Sequence, residues 1–364
     1  MNVVALIMAG FSVLGGLDCI LGNRFGIGKE FERGMQMLGT LALAMIGMLV
    51  IAPTIAELLQ PALCAMAKVV PIDPSIVTAS LFANDMGGAP LSEQIAQDPS
   101  LGSFHGLVVA SMMGATVSFT IPFALRTVAE EMRREMLIGL LCGVVTIPVG
   151  CLIGGLIAGV AWQSLLINLC PLAIFAAIIA LGLLKFPDAC VKIFHVVGIL
   201  IKILITVGLI IGIFQSVTGI VFLKSAESYE NAGVVILGVA AVMTGACPMV
   251  HLLSRLLRKP LSFLGNRLGI GEIGMTGFLA TLATSVTTFE MMKQMNRRAV
   301  VLNSAFAVSA AFVLADHLAY TLAYRGEYLP AVMVGKLIAG ALAVLIALPI
   351  SARIAKKTSD GETT

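Results

Sequence analysis

The sequence predicts an all-α integral membrane protein that crosses the bilayer many times. Of the 364 residues, 59% are hydrophobic and 12% are charged, whereas about 25% are charged in an ordinary soluble domain. The mean hydropathy is +1.02. A helix crosses a bilayer with about 20 mostly apolar residues, and uncharged runs of that length or longer lie at 34–56, 99–125, 136–184, 203–223 and 231–254.

Several classes of protein are excluded by what the sequence lacks. It carries no nucleotide-binding glycine motif, HExxH zinc motif or GxSxG nucleophile, so neither an enzyme nor a cofactor is expected. The net charge of +3 is dispersed, which argues against nucleic acid. Residues 1–17 have no basic start and no obvious cleavage site, so we expect a first span rather than a signal peptide. The seven cysteines show no metal spacing and are expected to be packing residues.

The basic residues predict the membrane topology. Eighteen of the 23 lysines and arginines fall in six short stretches. If these stretches are cytoplasmic, the positive-inside rule places the N-terminus outside and the C-terminus inside. The segments 74–98 and 272–292 must then be re-entrant, the first entering from outside and the second from the cytoplasm. About nine full spans and two re-entrant segments result.

An internal repeat appears when the sequence is shifted by 199 residues. Gly34 then falls on Gly233, and Pro61 falls on Pro260. With the topology above, the second half is inverted relative to the first, which is a transporter architecture. The predicted units are a first repeat at 1–162, a linker helix at 163–190, an inverted second repeat at 191–352 and a cytoplasmic tail at 353–364.

The stretch LFANDMGGAP places an acid at membrane depth. Residues 74–84 predict a helix of about three turns, which is too short to cross. Gly87 and Gly88 are expected to end that helix in the left-handed conformation. The terminal carbonyls and the Asp85 carboxylate would together attract a cation. The alternative is that Asn84 and Asp85 merely cap a surface turn.

A second candidate is the stretch LADHLAY. Asp316 and His317 lie near the outer end of a predicted span at 299–322, and Tyr320 and Tyr324 follow one and two turns later. A carboxylate beside aromatic rings suits an ammonium group. The alternative is an aromatic belt at the membrane interface with a solvated acid.

Three further charged residues lie in predicted spans. Asp18, near the cytoplasmic end of the first span, is equally compatible with a site and with the interface. Lys202 lies deep enough to need a partner or to extend towards the interface. Lys336 is nearer a helix end, so extension of its side chain to the interface is the preferred interpretation.

Several motifs resemble one known family. The chain is similar along nearly its whole length to the ethanolamine utilisation permeases, the EutH family. The resemblance implies uptake of ethanolamine across a bacterial inner membrane for cytoplasmic breakdown, and the family's acids match Asp18, Asp85 and Asp316. The motifs are FERGMQMLGTLALAMIGM (31–48), NDMGG (84–88), GLVVASMMGATVSFTIPFAL (106–125), GVVTIPVGCLIGGL (143–156), MMKQM (291–295), NSAFAVSAAFVLADHL (303–318) and VGKLIAG (334–340).

One stretch departs from the family pattern. TSVTTFE at 284–290 replaces an Asn-Asn-Ile-Pro-like stretch of the family, which leaves a relative of ethanolamine open as the substrate. A carrier of another small amine or amino compound, or a non-transporting membrane scaffold, is the alternative function. The expected partners are a small-molecule substrate and the lipid bilayer, and a homo-oligomer is possible.

The resemblance implies roles for the polar residues of both re-entrant tips. Asp85 would bind the ammonium group within the turn formed by Gly87 and Gly88. Asp316 and His317 would complete the site, and His317 or Asp18 would alternatively relay an ion or a proton. The substrate hydroxyl would bind Asn84 or one of three threonines, namely Thr284, Thr287 and Thr288.

Overall fold

The structure is a computed structural model that describes the backbone of residues 3–361, and their side chains except those at 67, 68, 258, 261, 264 and 355–361. The predicted tail therefore lies partly outside the described residues. The described chain contains helices and short connections but no strand, which confirms the all-α class. The helices are α1 (Val3–Ile20), α2 (Ile27–Val69), α3 (Ser75–Leu81), α4 (Gly88–Ile95), α5 (Pro99–Thr127), α6 (Glu130–Ile157), α7 (Trp162–Lys185), α8 (Pro187–Thr218), α9 (Tyr229–Leu268), α10 (Gly271–Ala283), α11 (Ser285–Met291), α12 (Arg297–Ala310), α13 (Asp316–Arg325) and α14 (Leu329–Gly361).

The described chain has eight helical stretches long and apolar enough to cross a bilayer, whereas the sequence predicts nine spans. The difference lies at 299–322, where the helix is interrupted. α12 ends at Ala310 and α13 begins at Asp316. The prediction of one continuous span there is therefore wrong, because the backbone leaves the helix before the acid is reached.

The segment between α2 and α5 folds back on itself as a hairpin of α3 and α4. Its two ends are held together by Asp73. One oxygen of this buried carboxylate accepts the backbone N–H groups of Gln97 and Asp98 at 2.9 and 3.0 Å, and the other accepts that of Ser75 at 2.9 Å. The chain therefore enters and leaves this hairpin at the same place.

α10 and α11 form a second hairpin between α9 and α12. At its base, the side-chain amide of Asn296 donates to the carbonyl of Gly269 at 3.1 Å. The same side chain caps α12 by accepting the N–H of Ala299 at 2.8 Å, as asparagine commonly does at a helix start. Both ends of this hairpin therefore also meet. That the hairpins dip into the membrane without crossing it stays a prediction.

The helix boundaries follow the predicted repeat. α2 ends at Val69 and α9 ends at Leu268, a separation of 199 residues. α6 begins at Glu130 and α14 begins at Leu329, again 199 residues apart. Each half thus places a long helix, a hairpin and a helix that reaches the centre in the same order. The inversion of one half relative to the other stays a prediction.

α5 occupies the centre of the molecule, with 89% of its most apolar stretch buried. The first hairpin and α14 both pack against it. Two parts of α5, His105–Gly114 and Thr116–Thr120, have wide π-helical turns. Such turns are uncommon and are frequent at functional sites, so this helix is a natural wall for a site between the hairpins.

Candidate functional site

The tip of the first hairpin is a tight turn rather than the end of a long helix. α3 ends at Leu81, the next two residues are extended, and Asn84–Met86 form a single 3-10 turn. Gly87 adopts φ 93°, a left-handed conformation that suits glycine, whereas Gly88 already begins α4. The expected three-turn helix ending at both glycines is therefore wrong in detail. Asp85 lies in the turn itself, three residues beyond the last carbonyls of α3.

The tip is pressed against the first part of α5. A Cβ on Gly88 would lie 2.4 Å from the carbonyl oxygen of Phe82 and 2.9 Å from the Ala110 side chain. A Cβ on Gly114 would lie 1.9 Å from that same carbonyl oxygen. These approaches are closer than any side chain allows, so glycine is required at both positions for the turn to reach this depth.

The second acid is presented by the interruption between α12 and α13. Phe312 has φ 64°, which is rare for a residue with a bulky side chain. Its N–H donates to the Thr281 carbonyl at 3.1 Å, and the N–H of Leu314 donates to the Leu282 carbonyl at 2.8 Å. The interruption is thus held by the end of α10, and Asp316 becomes the first residue of α13, where the helix dipole favours a carboxylate.

The two predicted acidic motifs meet. Asp85 Oδ1 lies 3.7 Å from His317 Nε2, a distance too long for a hydrogen bond but within range of an ion pair. The carboxylates of Asp85 and Asp316 are close enough to repel each other electrostatically. His317 is 2% exposed, and its ring lies 5.2 Å from that of Phe312. Two acids in a low-dielectric interior would be stabilised by a cation between them.

Around these acids lie buried polar atoms to which the described chain gives no hydrogen-bond partner. Buried polar groups are normally paired, and an unpaired one costs about 1–3 kcal/mol. A group of them in one membrane-embedded place is therefore typical of a site for a polar ligand. The atoms are Asn84 Nδ2 and Oδ1, Asp85 Oδ1, Asp316 Oδ1, His317 Nδ1, Tyr320 OH and Thr321 Oγ1.

A cavity of about 460 Å³ reaches the second acid. Asp316 lines it together with Thr284 and Thr287 of the second hairpin, and Arg33 and His251 lie at its wall. Arg33 belongs to one of the basic stretches expected in the cytoplasm. The cavity therefore connects the acid with the predicted cytoplasmic side.

The opposite side of the site is closed by a polar cluster. Glu93 of α4 accepts from Tyr324 OH at 2.9 Å, from Arg325 Nε at 3.2 Å and from Ser103 Oγ at 2.6 Å. The cluster joins the first hairpin to α5 and to the end of α13. Tyr320 is fully buried and stacks on Tyr324 at 5.3 Å between ring centroids. The rings are thus part of a closed cluster rather than of an aromatic belt, which corrects the interfacial alternative.

Other predicted site residues serve the local backbone. Asp18 accepts the N–H groups of Phe25 at 2.9 Å and Gly28 at 2.8 Å, so its carboxylate holds the turn between α1 and α2. Thr288 donates to the Gly277 carbonyl at 3.0 Å and is 2.8 Å from the Thr281 hydroxyl. The structure places neither residue among the atoms around Asp85.

The threonines of the second tip divide into two kinds. Thr284 caps α11, its hydroxyl accepting the N–H of Val286 at 3.3 Å, and Thr287 is exposed to the cavity. Among the described residues, no group of three or more histidine, cysteine or acidic side chains is placed to hold a metal ion.

Sequence reasoning misplaced one residue of the site. Lys336 is 1% exposed and donates from Nζ to the Ser111 carbonyl at 2.6 Å, so the expectation that it extends to the interface is wrong. The available signal was its place about two turns inside α14. The missing information was that α5 lies against this face of the helix.

This combination of features defines the class of protein. A many-spanning helical protein with two hairpins, an interrupted helix and buried charges between them is a membrane transporter. The chain belongs to the EutH family, because the family model described as "Ethanolamine utilisation protein, EutH" matches residues 1–350. The family is one of permeases rather than of enzymes.

Curated relatives agree with that assignment. A protein of Listeria monocytogenes named "Probable ethanolamine permease EutH" is 38% identical over 363 residues, covering 100% of this chain and 97% of the relative. A protein of the same name from Salmonella typhimurium is 36% identical, covering 95% and 94%. "Uncharacterized protein YxeR" of Bacillus subtilis is also 36% identical, with the same coverage. No solved structure matches the chain significantly.

Proposed function

We propose that this protein takes up ethanolamine, as its ammonium cation, across a bacterial inner membrane. The observation that carries the proposal is the meeting of Asp85 and Asp316, whose carboxylates come from separate elements and have buried oxygens without a partner. The names printed for relatives at 36–38% identity support ethanolamine as the substrate. A protonated amine cannot enter hydrocarbon cheaply, so it needs a path that supplies negative charge.

The acid pair would bind the ammonium end of the substrate. An ammonium group has three donors and no acceptor, which suits the buried oxygens of Asp85 and Asp316. The hydroxyl, two carbons away, would bind the Asn84 amide or the Thr287 hydroxyl of the second tip. His317 would either complete this shell or relay a proton, since it lies 3.7 Å from Asp85.

Transport would proceed by alternating access between two predicted inverted repeats. The described state corresponds to a carrier open towards the cytoplasm, because the cavity at Asp316 lies beside Arg33 and His251. On the other side, the Glu93 cluster joins α4 to α13. Opening outwards would require that cluster to separate and the second hairpin to close over the cavity.

The test is uptake of labelled ethanolamine into proteoliposomes that contain the purified protein. Saturable uptake above that of empty liposomes is expected, with excess unlabelled ethanolamine competing. Uptake no faster than into empty liposomes would contradict the proposal and favour a non-transporting scaffold. Competition by other small amines tests the unusual 284–290 stretch: a competitor that binds more tightly than ethanolamine would be the preferred substrate.

A further inference from the structure

Lys336 is a buried charge that the binding scheme above does not use. Its side chain is 1% exposed, and its ammonium is held by the carbonyl of Ser111 at 2.6 Å. Burying an ammonium is costly unless a carboxylate or several carbonyls compensate the charge. A lysine at this depth therefore needs a nearby anion.

The anion is on the first hairpin. Ser111 follows Ala110, the residue of α5 against which the Gly88 backbone is pressed. The Asp85 turn and the Lys336 ammonium thus approach adjacent residues of α5, from the hairpin side and from α14 respectively. At this separation the Lys336 ammonium and the Asp85 carboxylate attract each other directly.

We propose that Lys336 is a tethered cation that replaces the substrate's ammonium at Asp85 when the carrier is empty. The inference rests on the proposed function, since it assumes that Asp85 binds a protonated amine. Lysine ends in the same primary ammonium group as the substrate, on a flexible four-carbon stem. The Ser111 carbonyl holds this group while substrate occupies Asp85, and the carboxylate attracts it when substrate leaves.

The exchange explains how the empty carrier returns. A transporter that completes a cycle must change conformation both with and without substrate. Without a cation, the buried Asp85 carboxylate would be uncompensated, and its desolvation would oppose the return. Lys336 removes that barrier, and it also makes the substrate compete for the carboxylate, which speeds release into the cytoplasm.

Lys336→Gln separates net uptake from exchange. Net uptake needs the empty carrier to return, whereas exchange of labelled for unlabelled ethanolamine uses the loaded carrier in both directions. We expect net uptake to fall at least about tenfold, exchange to stay within about threefold of wild type, and binding to become tighter. The matched control is Lys202→Gln, the same change at an exposed lysine of α8, which should alter neither rate.

Two outcomes overturn the inference: equal losses of net uptake and exchange, or no loss of either. If the purified variant is not monodisperse, thermal stability gives a second test. Asp85→Asn combined with Lys336→Gln removes both charges and should be more stable than Lys336→Gln alone. A double variant no more stable than the single one means that the two charges are not partners. Absence of all transport by wild type, with the stability result as expected, would refute the proposed function while leaving the charge pair intact.

Discussion

The two hairpins occupy equivalent places in the two halves of the chain, yet they carry different chemistry. The first is buried against α5, and its tip contains Asn84 and Asp85. The second has a tip of hydroxyl residues, and Thr284 and Thr287 face a cavity of about 460 Å³. One hairpin therefore holds a charge inside the protein, whereas the other forms the wall of a path to it.

The difference shows how a repeated layout produces an asymmetric site. The first hairpin supplies its own acid. The second supplies carbonyl groups from Thr281 and Leu282 that hold the interruption between α12 and α13, and thereby positions Asp316. Each half contributes one carboxylate, but the second half does so indirectly.

The largest expected difference between the hairpins is the side of the membrane at which they begin and end. In a cysteine-free background, Val70→Cys and Ser100→Cys should both react with an impermeant reagent from outside. Arg267→Cys and Lys293→Cys should react only from the cytoplasm, because the positive-inside rule places their stretches there. All four positions are exposed. Labelling of Val70→Cys and Ser100→Cys from opposite sides would mean that the first hairpin crosses the membrane.

Removing the charge of the first tip should have the next largest effect. Asp85→Asn keeps the shape of the turn but removes the carboxylate. A charge-assisted hydrogen bond contributes about 1.5–3 kcal/mol, so ethanolamine binding should weaken by about ten- to more than a hundredfold. The measurement is binding of labelled ethanolamine to purified, monodisperse protein.

The matched control for Asp85→Asn is Asp98→Asn in the same hairpin segment. Asp98 is exposed and caps α5 by accepting the N–H of Ser100 at 2.8 Å, a role that asparagine fills equally well. Binding by this control should equal that of wild type. Wild-type affinity in Asp85→Asn would instead show that the cation is held elsewhere, with Asp316 the next candidate.

The depth of the first tip can be tested with one methyl group. Gly88→Ala places a Cβ 2.4 Å from the Phe82 carbonyl oxygen, so the turn must move away from α5. Overpacking of this kind costs about 1–3 kcal/mol, and we expect a lower thermal midpoint together with weaker binding. Gly39→Ala is the control, since a Cβ there meets nothing within 4 Å. Equal midpoints for both variants would argue against the tight packing of the tip.

The smallest effect is expected at the second tip. Thr287→Val keeps the side-chain shape and removes the hydroxyl. If that hydroxyl binds the substrate's hydroxyl, ethanolamine affinity should fall about three- to tenfold, as expected for a neutral hydrogen bond. Ethylamine, which lacks the hydroxyl, should bind both proteins equally. An equal loss for the two amines would assign Thr287 to the cavity wall alone.

Much of this organisation follows from the sequence itself. Hydropathy and the distribution of basic residues predict a many-spanning helical protein, because hydrocarbon permits only backbone that satisfies its own hydrogen bonds. Short apolar segments with glycines predict the hairpin between α2 and α5, and the shift of 199 residues agrees with the boundaries of α9 and α14. Acids at membrane depth identify Asp85 and Asp316 as site candidates, since such residues are costly without a role.

Only the tertiary structure decided which charged residues meet. The helix pattern of 299–322 continues through the residues where α12 ends, and the interruption exists because α10 offers carbonyls to Phe312 and Leu314. Lys336 reads as an end-of-helix lysine until α5 is placed beside it, and Asp18 reads as a site acid until the turn after α1 surrounds it. Local sequence sets length, polarity and turn preference. The partner of a buried charge lies far away in the chain, so packing alone assigns it.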